Sequence, residues 1–333
     1  MTRISVGDAS LTNILARQGA ELRATVSRAS QEVTTGRHTD LPKALRGDVS
    51  PILAIDASLA RLQGFRTTTQ DAALHTAAQQ VAVDGLSDLA KKITTTLVGV
   101  TTFQTQAQVS AIAADMRGRL ESAVGLLNTQ VAGRAVFSGV MTNQVPLGSA
   151  DELLTALETA ATGATTAGAV AAAVAGWFAD PLGYAVFYQG GAPHSSVEIA
   201  PGEMAELDTT AMDPAIRDTL KGFAMAALLD RGILSGNAEE RALLAQLSGQ
   251  VLLSTEDGRI TLAARIGAVE AQVEAARIRN GAEETALGIL RSDIGSVDPY
   301  EAATRLEAAR AQLESLYLVT ARVSRLSLVE FLR

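Results

Sequence analysis

Residues 298–333 read DPYEAATRLEAARAQLESLYLVTARVSRLSLVEFLR. Apolar or small side chains recur in this stretch with alternating steps of three and four residues, at Leu306, Ala309, Leu313, Leu316, Thr320 and Val323. Such a narrow stripe is typical of a coiled-coil seam, whereas a helix on a globular core carries a broader apolar face. Asp298 and Pro299 are the residue types of an N-cap and a first helical position. We therefore predict that a helix restarts here and that the two residues form a hinge.

The last ten residues, SRLSLVEFLR, carry apolar side chains on several faces of the predicted helix. Ser327 falls on the seam, and Leu326, Leu328 and Phe331 spread around it. A chain end is normally polar and frayed, and one partner helix covers only one face. We therefore expect these side chains to be buried by several neighbouring subunits.

The N-terminal segment carries a second narrow seam. Its members are Leu11, Ile14, Gln18, Leu22, Thr25, Ala29 and Val33, and it ends before Gly36. Each fully buried seam residue contributes about 1.5–3 kcal/mol, but ordering the backbone costs about 1–2 kcal/mol per residue. We therefore expect the terminal helices to pair and to need further copies or partners for stability. The predicted assembly interface comprises Leu11, Ile14, Leu22, Val33, Leu306, Leu313, Leu316, Val323, Leu326, Leu328 and Phe331.

The middle of the chain combines long helices with an insert of different character. Seams beginning at Ile52 and at Leu262 predict long helices, and Asn280 is a polar exception in the second of them. Within the insert, GYAVFYQGG, residues 183–191, has the aromatic and β-branched content of a strand. VEIAPGEMAEL, residues 197–207, reads as two short strands joined by a type II turn.

These patterns predict a mainly α protein: an elongated rod of long antiparallel coiled-coil helices from both termini, with a small α/β insert in the middle. The expected domains are paired terminal helices, residues 1–40 with 298–333, a long-helix bundle, residues 41–134 with 237–297, and the insert, residues 135–236.

Composition excludes several classes of function. The net charge of −8, with no run of basic residues, argues against a nucleic-acid surface. Because the chain has no cysteine, disulfides, thiol catalysis and cysteine-bound metals are excluded. The most apolar window, residues 167–178, is about half the length of a membrane span, and the N-terminus has no continuous apolar stretch. We therefore expect no membrane insertion and no cleaved signal peptide.

Few residues could support catalysis. His38 could lie near Asp40 in a connector, His75 falls within a helix, and His194 follows a loop. A solvated or helical surface role is the simpler interpretation of each, because none has a second ligand at metal-binding spacing. Phosphate-binding loops and hydrolase motifs are absent from the sequence. We therefore expect no cofactor and no enzyme.

The quoted C-terminal stretch resembles the flagellin superfamily, and within it the hook-associated proteins of the hook–filament junction. The likeness lies in its acidic start, Glu-Ala-Ala, Leu-Glu-x-x-Tyr and Ser-Leu-rich ending. Thr35-Gly36-Arg37 is similar to the family's turn after the first helix, and residues 133–139, GRAVFSG, are similar to the stretch that leaves its helical domain. The resemblance covers about two-thirds of the chain, without the insert.

The resemblance implies a structural role in the flagellum. It implies terminal helices that form an inner tube, export through the flagellar type III apparatus to an extracellular position at the hook–filament junction, and no catalysis. The implied partners are hook-associated protein 1 and flagellin as axial neighbours, copies of the same chain in a ring, and an export chaperone on the C-terminal helix. The start ISVGDASLTN and the segment PKALRGDVSPILAID depart from flagellin itself, which favours the junction proteins.

Three alternatives stay open at the level of sequence. The chain could be a divergent flagellin, which would be distributed along the whole filament. It could be a coiled-coil scaffold or phage tail component, which would not depend on flagellar export. It could also house an enzyme in the insert, for which a ligand or metal near His194 would be the sign.

Overall fold

The computed structural model describes residues 6–100 and 105–331, with side-chain surroundings for residues 13–100, 105–323 and 325. The chain divides into two compact units. The terminal unit comprises Met1–Arg61 with Ala282–Arg333, and the central unit comprises Leu62–Gly281. The side chains of Leu11, Leu326, Leu328 and Phe331, which were predicted interface residues, lie outside the described ones.

Helices dominate both units, which confirms the prediction of a mainly α protein. In chain order they are α1 Val6–Thr35, α2 Leu41–Ala44, α3 Ser50–Val98, α4 Gln106–Leu127, α5 Ala150–Ala160, α6 Ala167–Ala179, α7 Tyr184–Phe187, α8 Pro214–Ala227, α9 Ala238–Ser254, α10 Glu256–Gly295 and α11 Pro299–Phe331. The longest, α3, has 49 residues and continues the seam that begins at Ile52 without a break.

The described strands form two short antiparallel hairpins. They are β1 Gln130–Val131 with β2 Arg134–Ala135, and β3 Val197–Ala200 with β4 Glu203–Ala205. Between β3 and β4, Gly202 has a φ of +73°, as the third position of a type II turn requires. The predicted hairpin at this place is therefore confirmed.

Helix starts follow their capping residues. Ser149 and Glu152 form a reciprocal capping box at α5, and Asn237 accepts a hydrogen bond from the Glu240 amide at α9. Such bonds satisfy amides that have no partner within the helix. Asp213 caps α8 in the same way, through the Ala215 amide at 2.9 Å.

One apolar core runs through the central unit. It joins residues of the predicted long-helix bundle, such as Leu86 and Leu120, to residues of the predicted insert, such as Leu157 and Leu220. All four side chains are fully buried. The division of this region into a bundle domain and an insert domain stays a prediction.

Two buried amide side chains tie the long helices to the irregular chain around them. Gln79 on α3 donates through Nε2 to the carbonyls of Val136 and Thr209, both at 2.9 Å. Asn280 on α10 donates to the Ile199 carbonyl at 2.8 Å. Buried carbonyls need such partners. Asn280, the polar residue in the otherwise apolar seam of α10, therefore holds β3 against this helix.

The predicted strand at residues 183–191 is wrong. Tyr184–Phe187 form the short helix α7. The Tyr184 ring is fully buried and stacks on Phe178 with ring centroids 5.2 Å apart, and its hydroxyl donates to the Ala211 carbonyl at 2.8 Å. Tertiary packing of one aromatic side chain therefore overrides the strand propensity of its neighbours.

Candidate assembly interface

The two terminal helices pack against each other within the terminal unit. The covered face of α1 is formed by residues with four–three spacing, namely Leu15, Gly19, Leu22, Val26 and Ala29. The covered face of α11 is formed by Ala302, Leu306, Ala309, Leu313, Leu316 and Val323. Both sets have the heptad spacing of a two-helix coiled coil. We call these two sets the pairing face.

Gly19 on α1 lies opposite Leu316 on α11. A Cβ atom placed on Gly19 would lie 3.6 Å from Cδ2 of Leu316, so the leucine reaches almost to the backbone of α1. The sequence prediction missed Gly19 because a glycine does not count as apolar. The regular spacing of Leu15, Leu22, Val26 and Ala29 around it was the available signal.

The predicted interface residues fall into two groups. Leu306 is buried, and Leu22, Leu313, Leu316 and Val323 are half-buried, all on the pairing face. Their first contact is therefore with the chain's own partner helix.

Ile14 and Val33 form the second group, because they do not lie on the pairing face. They are 51% and 42% exposed, so the predicted seam of α1 contains two residues that α11 does not cover. The seam that packs on α11 instead includes Leu15, Gly19 and Val26, which the prediction omitted.

A second apolar face remains on the outside of the terminal unit. Tyr317, Leu318 and Val319 on α11 are 52%, 66% and 47% exposed. Ile14 and Val33 on α1 are exposed as well, and we use the name outer face for these five residues together. Scattered exposed apolar residues are ordinary, but three consecutive ones on a helix whose opposite side is already covered suit a surface for a further partner.

The break between α10 and α11 is joined to the connector that follows α1. The Val297 amide donates to the Gly36 carbonyl and the His38 amide donates to the Gly295 carbonyl, both at 3.0 Å. Arg37 and Ser296 pair as an antiparallel bridge between these two bonds. The end of α1 and the start of α11 are therefore held side by side.

Asp298 and Pro299 stand at this break. Asp298 Oδ1 accepts hydrogen bonds from the amides of Tyr300 and Glu301, at 2.8 and 3.0 Å, and Pro299 is the first residue of α11. This is the geometry of an N-cap. That the pair acts as a hinge stays a prediction.

Glu32 links α1 to the connector and to α11. It is 9% exposed and accepts hydrogen bonds from the amide and the hydroxyl of Thr39, both at 3.1 Å. Arg305 Nη2 lies 3.7 Å from its carboxylate and His38 Nδ1 lies 4.0 Å away. His38 was expected near Asp40 in a solvated connector; the structure places it half-buried beside Glu32.

The surroundings of Glu32 change its pKa in opposite directions. Burial raises the pKa, whereas the Thr39 hydrogen bonds and the positive charges of Arg305 and His38 lower it, and the net pKa lies below the ordinary value of 4.5. The carboxylate therefore stabilises the folded state above pH 4.5, and this contribution is lost as the pH falls through the lowered value.

We expect amide protection of α1 to fall as the pH is lowered from 5 to about 3, by the equivalent of about 1–3 kcal/mol. Hydrogen exchange of the α1 amides measures it. The Glu32→Gln variant should start from lower protection at pH 7 and lose less of it in acid. Glu21→Gln, a change to an exposed carboxylate on the same helix, is the control and should behave like the unchanged chain.

Neither a membrane span nor a metal cluster is found in the part of the chain that the structure describes. None of its helices combines the length and the apolar character needed to cross a bilayer. No three histidine, aspartate or glutamate side chains among the described residues are placed to hold a metal ion.

Comparison with protein families identifies the C-terminal region. Residues 260–332 match the family described as bacterial flagellin C-terminal helical region. This part of the chain is similar to the C-terminal region of flagellins. The flagellin C-terminal region includes nearly all of α10, the capped break at Asp298 and the whole of α11, and it therefore contributes one side of the pairing face.

Solved structures of two flagellar proteins are similar to this chain. FlgL from Bacillus cereus aligns over 72% of this chain and 98% of its own, at 16% identity and a TM-score of 0.49. A putative flagellar hook-associated protein from Vibrio parahaemolyticus aligns over 73% and 95%, at 12% identity and a TM-score of 0.49. No curated protein sequence matches the chain significantly.

Proposed function

We propose that this chain is a structural subunit of the bacterial flagellum that links hook to filament, of the hook-associated protein 3 type. The observation that carries the proposal is the flagellin C-terminal region at residues 260–332. In the structure this region supplies α11, which pairs with α1 and keeps an uncovered apolar outer face.

The two faces of α11 have different tasks in this proposal. The pairing face holds α1 and α11 together in the single subunit. The outer face, with Leu318 at its centre, packs against neighbouring subunits, because a helix apolar on two sides is covered only when it has two partners. Stability of the terminal unit then depends on assembly as well as on the chain itself.

The partners follow from the same proposal. Copies of this chain would form a ring through the outer faces, with hook-associated protein 1 on one axial side and flagellin on the other. Before assembly an export chaperone would cover α11. The subunit would be exported from the cell and would act as a structural element rather than an enzyme.

A filament subunit is the competing function, since flagellins carry the same C-terminal region. The departures from flagellin at ISVGDASLTN and PKALRGDVSPILAID favour the junction. Neither segment keeps the pattern that flagellins have before and after their first helix.

Position within the flagellum separates these functions. The chain, labelled on the exposed Leu182 loop, is expressed in cells that lack their own copy, and isolated flagella are imaged by electron microscopy. We expect the label in one short band where hook meets filament. Label along the whole filament would show a flagellin, and its absence from flagella that have otherwise assembled would show a scaffold of another kind.

A further inference from the structure

The central unit contains a half-open cavity of about 270 Å³. Its walls come from α3, from the hairpin β1–β2, and from the chain on either side of β3 and β4. Val131, Val136 and Leu207 supply apolar lining, and Asp71, His75, Arg134 and His194 supply the ionisable groups. A mostly apolar hollow with a few convergent polar groups is the usual form of a small-ligand site.

The cavity brings together two histidines that lie far apart in the sequence. The rings of His75 and His194 meet edge to face with centroids 5.7 Å apart. Nε2 of His75 is buried and has no hydrogen-bond partner among the described residues. A buried polar atom without a partner is uncommon in a folded protein, so this nitrogen has an unsatisfied hydrogen bond beside the cavity.

Arg134 supplies the positive charge of the cavity. It follows the two-residue turn Ala132-Gly133, whose φ angles of +51° and +75° turn the hairpin tightly. No carboxylate in the described part of the chain forms an ion pair with Arg134. A guanidinium beside an apolar hollow suits a planar, singly charged anion.

The groups that face His75 keep its imidazole neutral. Burial, together with the smaller effects of His194 and Arg134, lowers the pKa of His75 to about 4. Burial and then Arg134 also lower the pKa of His194. Asp71, one helical turn before His75 on α3, is the carboxylate in the lining, and its side chain is exposed at the rim. A bound anion would oppose these effects and favour the imidazolium form.

We propose that this cavity binds a small, free carboxylic acid with a branched or compact apolar body. The carboxylate accepts hydrogen bonds from the Arg134 guanidinium and from Nε2 of His75, and the apolar body packs against Val131, Val136 and Leu207. A phosphate would find one guanidinium and mostly apolar walls, which suit a single charge better. The inference is independent of the flagellar role.

The test uses 4-methylpentanoate as the probe and its uncharged amide as the matched comparison, followed by NMR of the imidazole nitrogens. We expect the acid to shift the signals of His75 and His194 saturably, with the signal of His38 unchanged, and to raise the pKa of His75. The amide should bind at least about tenfold more weakly. Equal binding of acid and amide, or no shift at about 10 mM acid, would overturn the proposal.

Two variants and a peptide test the proposal further. Arg134→Gln changes an exposed side chain, so the fold should survive, and it should weaken binding of the acid about tenfold or more. Arg61→Gln, an exposed arginine of α3 outside the cavity, should bind like the unchanged chain. Unchanged binding by Arg134→Gln would overturn the proposal. A peptide ending in a leucine carboxylate that binds more tightly than the free acid would overturn the choice of a small-molecule ligand.

Discussion

The Gly249→Ala variant should be about 1–3 kcal/mol less stable than the unchanged chain, although alanine is the better helix former. Gly249 lies in α9 against the end of α3. A Cβ atom there would stand 2.7 Å from Cβ of Leu97 and 2.8 Å from the amide nitrogen of Val98. Because part of the obstacle is backbone, no rotamer change relieves the overlap, and α9 must move away from α3.

The movement would disturb a fully buried part of the central unit. Leu97 and Leu252 are fully buried there, and interiors packed to crystal density tolerate little displacement. Trp177, the only tryptophan of the chain, lies in the same unit beside Phe178 and Tyr184. Its fluorescence during urea unfolding therefore measures the stability of the central unit.

Gly267→Ala is the matched control for this prediction. Gly267 lies within α10, and a Cβ atom there would meet nothing within 4 Å. The change should stabilise the chain by about 0.5–1 kcal/mol, because alanine restricts the unfolded chain and favours the helix. If both variants shift the urea unfolding midpoint in the same direction, the prediction that α9 packs too closely on α3 for a Cβ atom at Gly249 is wrong.

The Leu316→Asp variant should separate α11 from α1 and leave the central unit intact. Leu316 is half-buried on the pairing face against Gly19. The change removes its apolar contact and places a carboxylate there, at a cost of about 2–4 kcal/mol. Hydrogen exchange should show loss of protection for the α1 amides, while the unfolding midpoint followed by Trp177 stays unchanged.

Leu318→Asp distinguishes the two faces of the same helix. Leu318 is two residues away and 66% exposed, so the isolated protein should keep α1 protected. If the outer face packs against neighbouring subunits, this variant nevertheless fails to enter flagella. Normal incorporation of Leu318→Asp would contradict the role proposed for the outer face. Loss of α1 protection in Leu318→Asp would mean that the two faces are assigned wrongly.

Several helix starts depend on interactions that are local in the sequence. Caps at Ser149, Asp213, Asn237 and Asp298 depend on residues within three positions of each other, so the sequence contains the whole interaction. The turn at Gly202 is local in the same sense. These features needed no knowledge of the rest of the fold.

Interactions between distant segments were the ones that the sequence did not reveal. The strand predicted around Tyr184 failed because Phe178 and the Ala211 carbonyl determine the position of that ring. The predicted seam of α1 shares Leu22 and Ala29 with the pairing face but omits Leu15, Gly19 and Val26. The sequence did not reveal that Leu316 packs against Gly19. His75 and His194 looked like unrelated surface residues, since 118 positions separate two rings that the fold brings into contact.

The pairing of α1 with α11 has a consequence for the order of folding. Leu22 and Leu316 are almost three hundred positions apart in the chain, and closing so long a loop of unfolded chain costs about 5 kcal/mol of entropy. The central unit, with its own core, removes most of that loop when it folds. Contacts of high sequence separation form slowly. We therefore expect the terminal pair to be the last part of a newly emerged chain to close, whichever end emerges first.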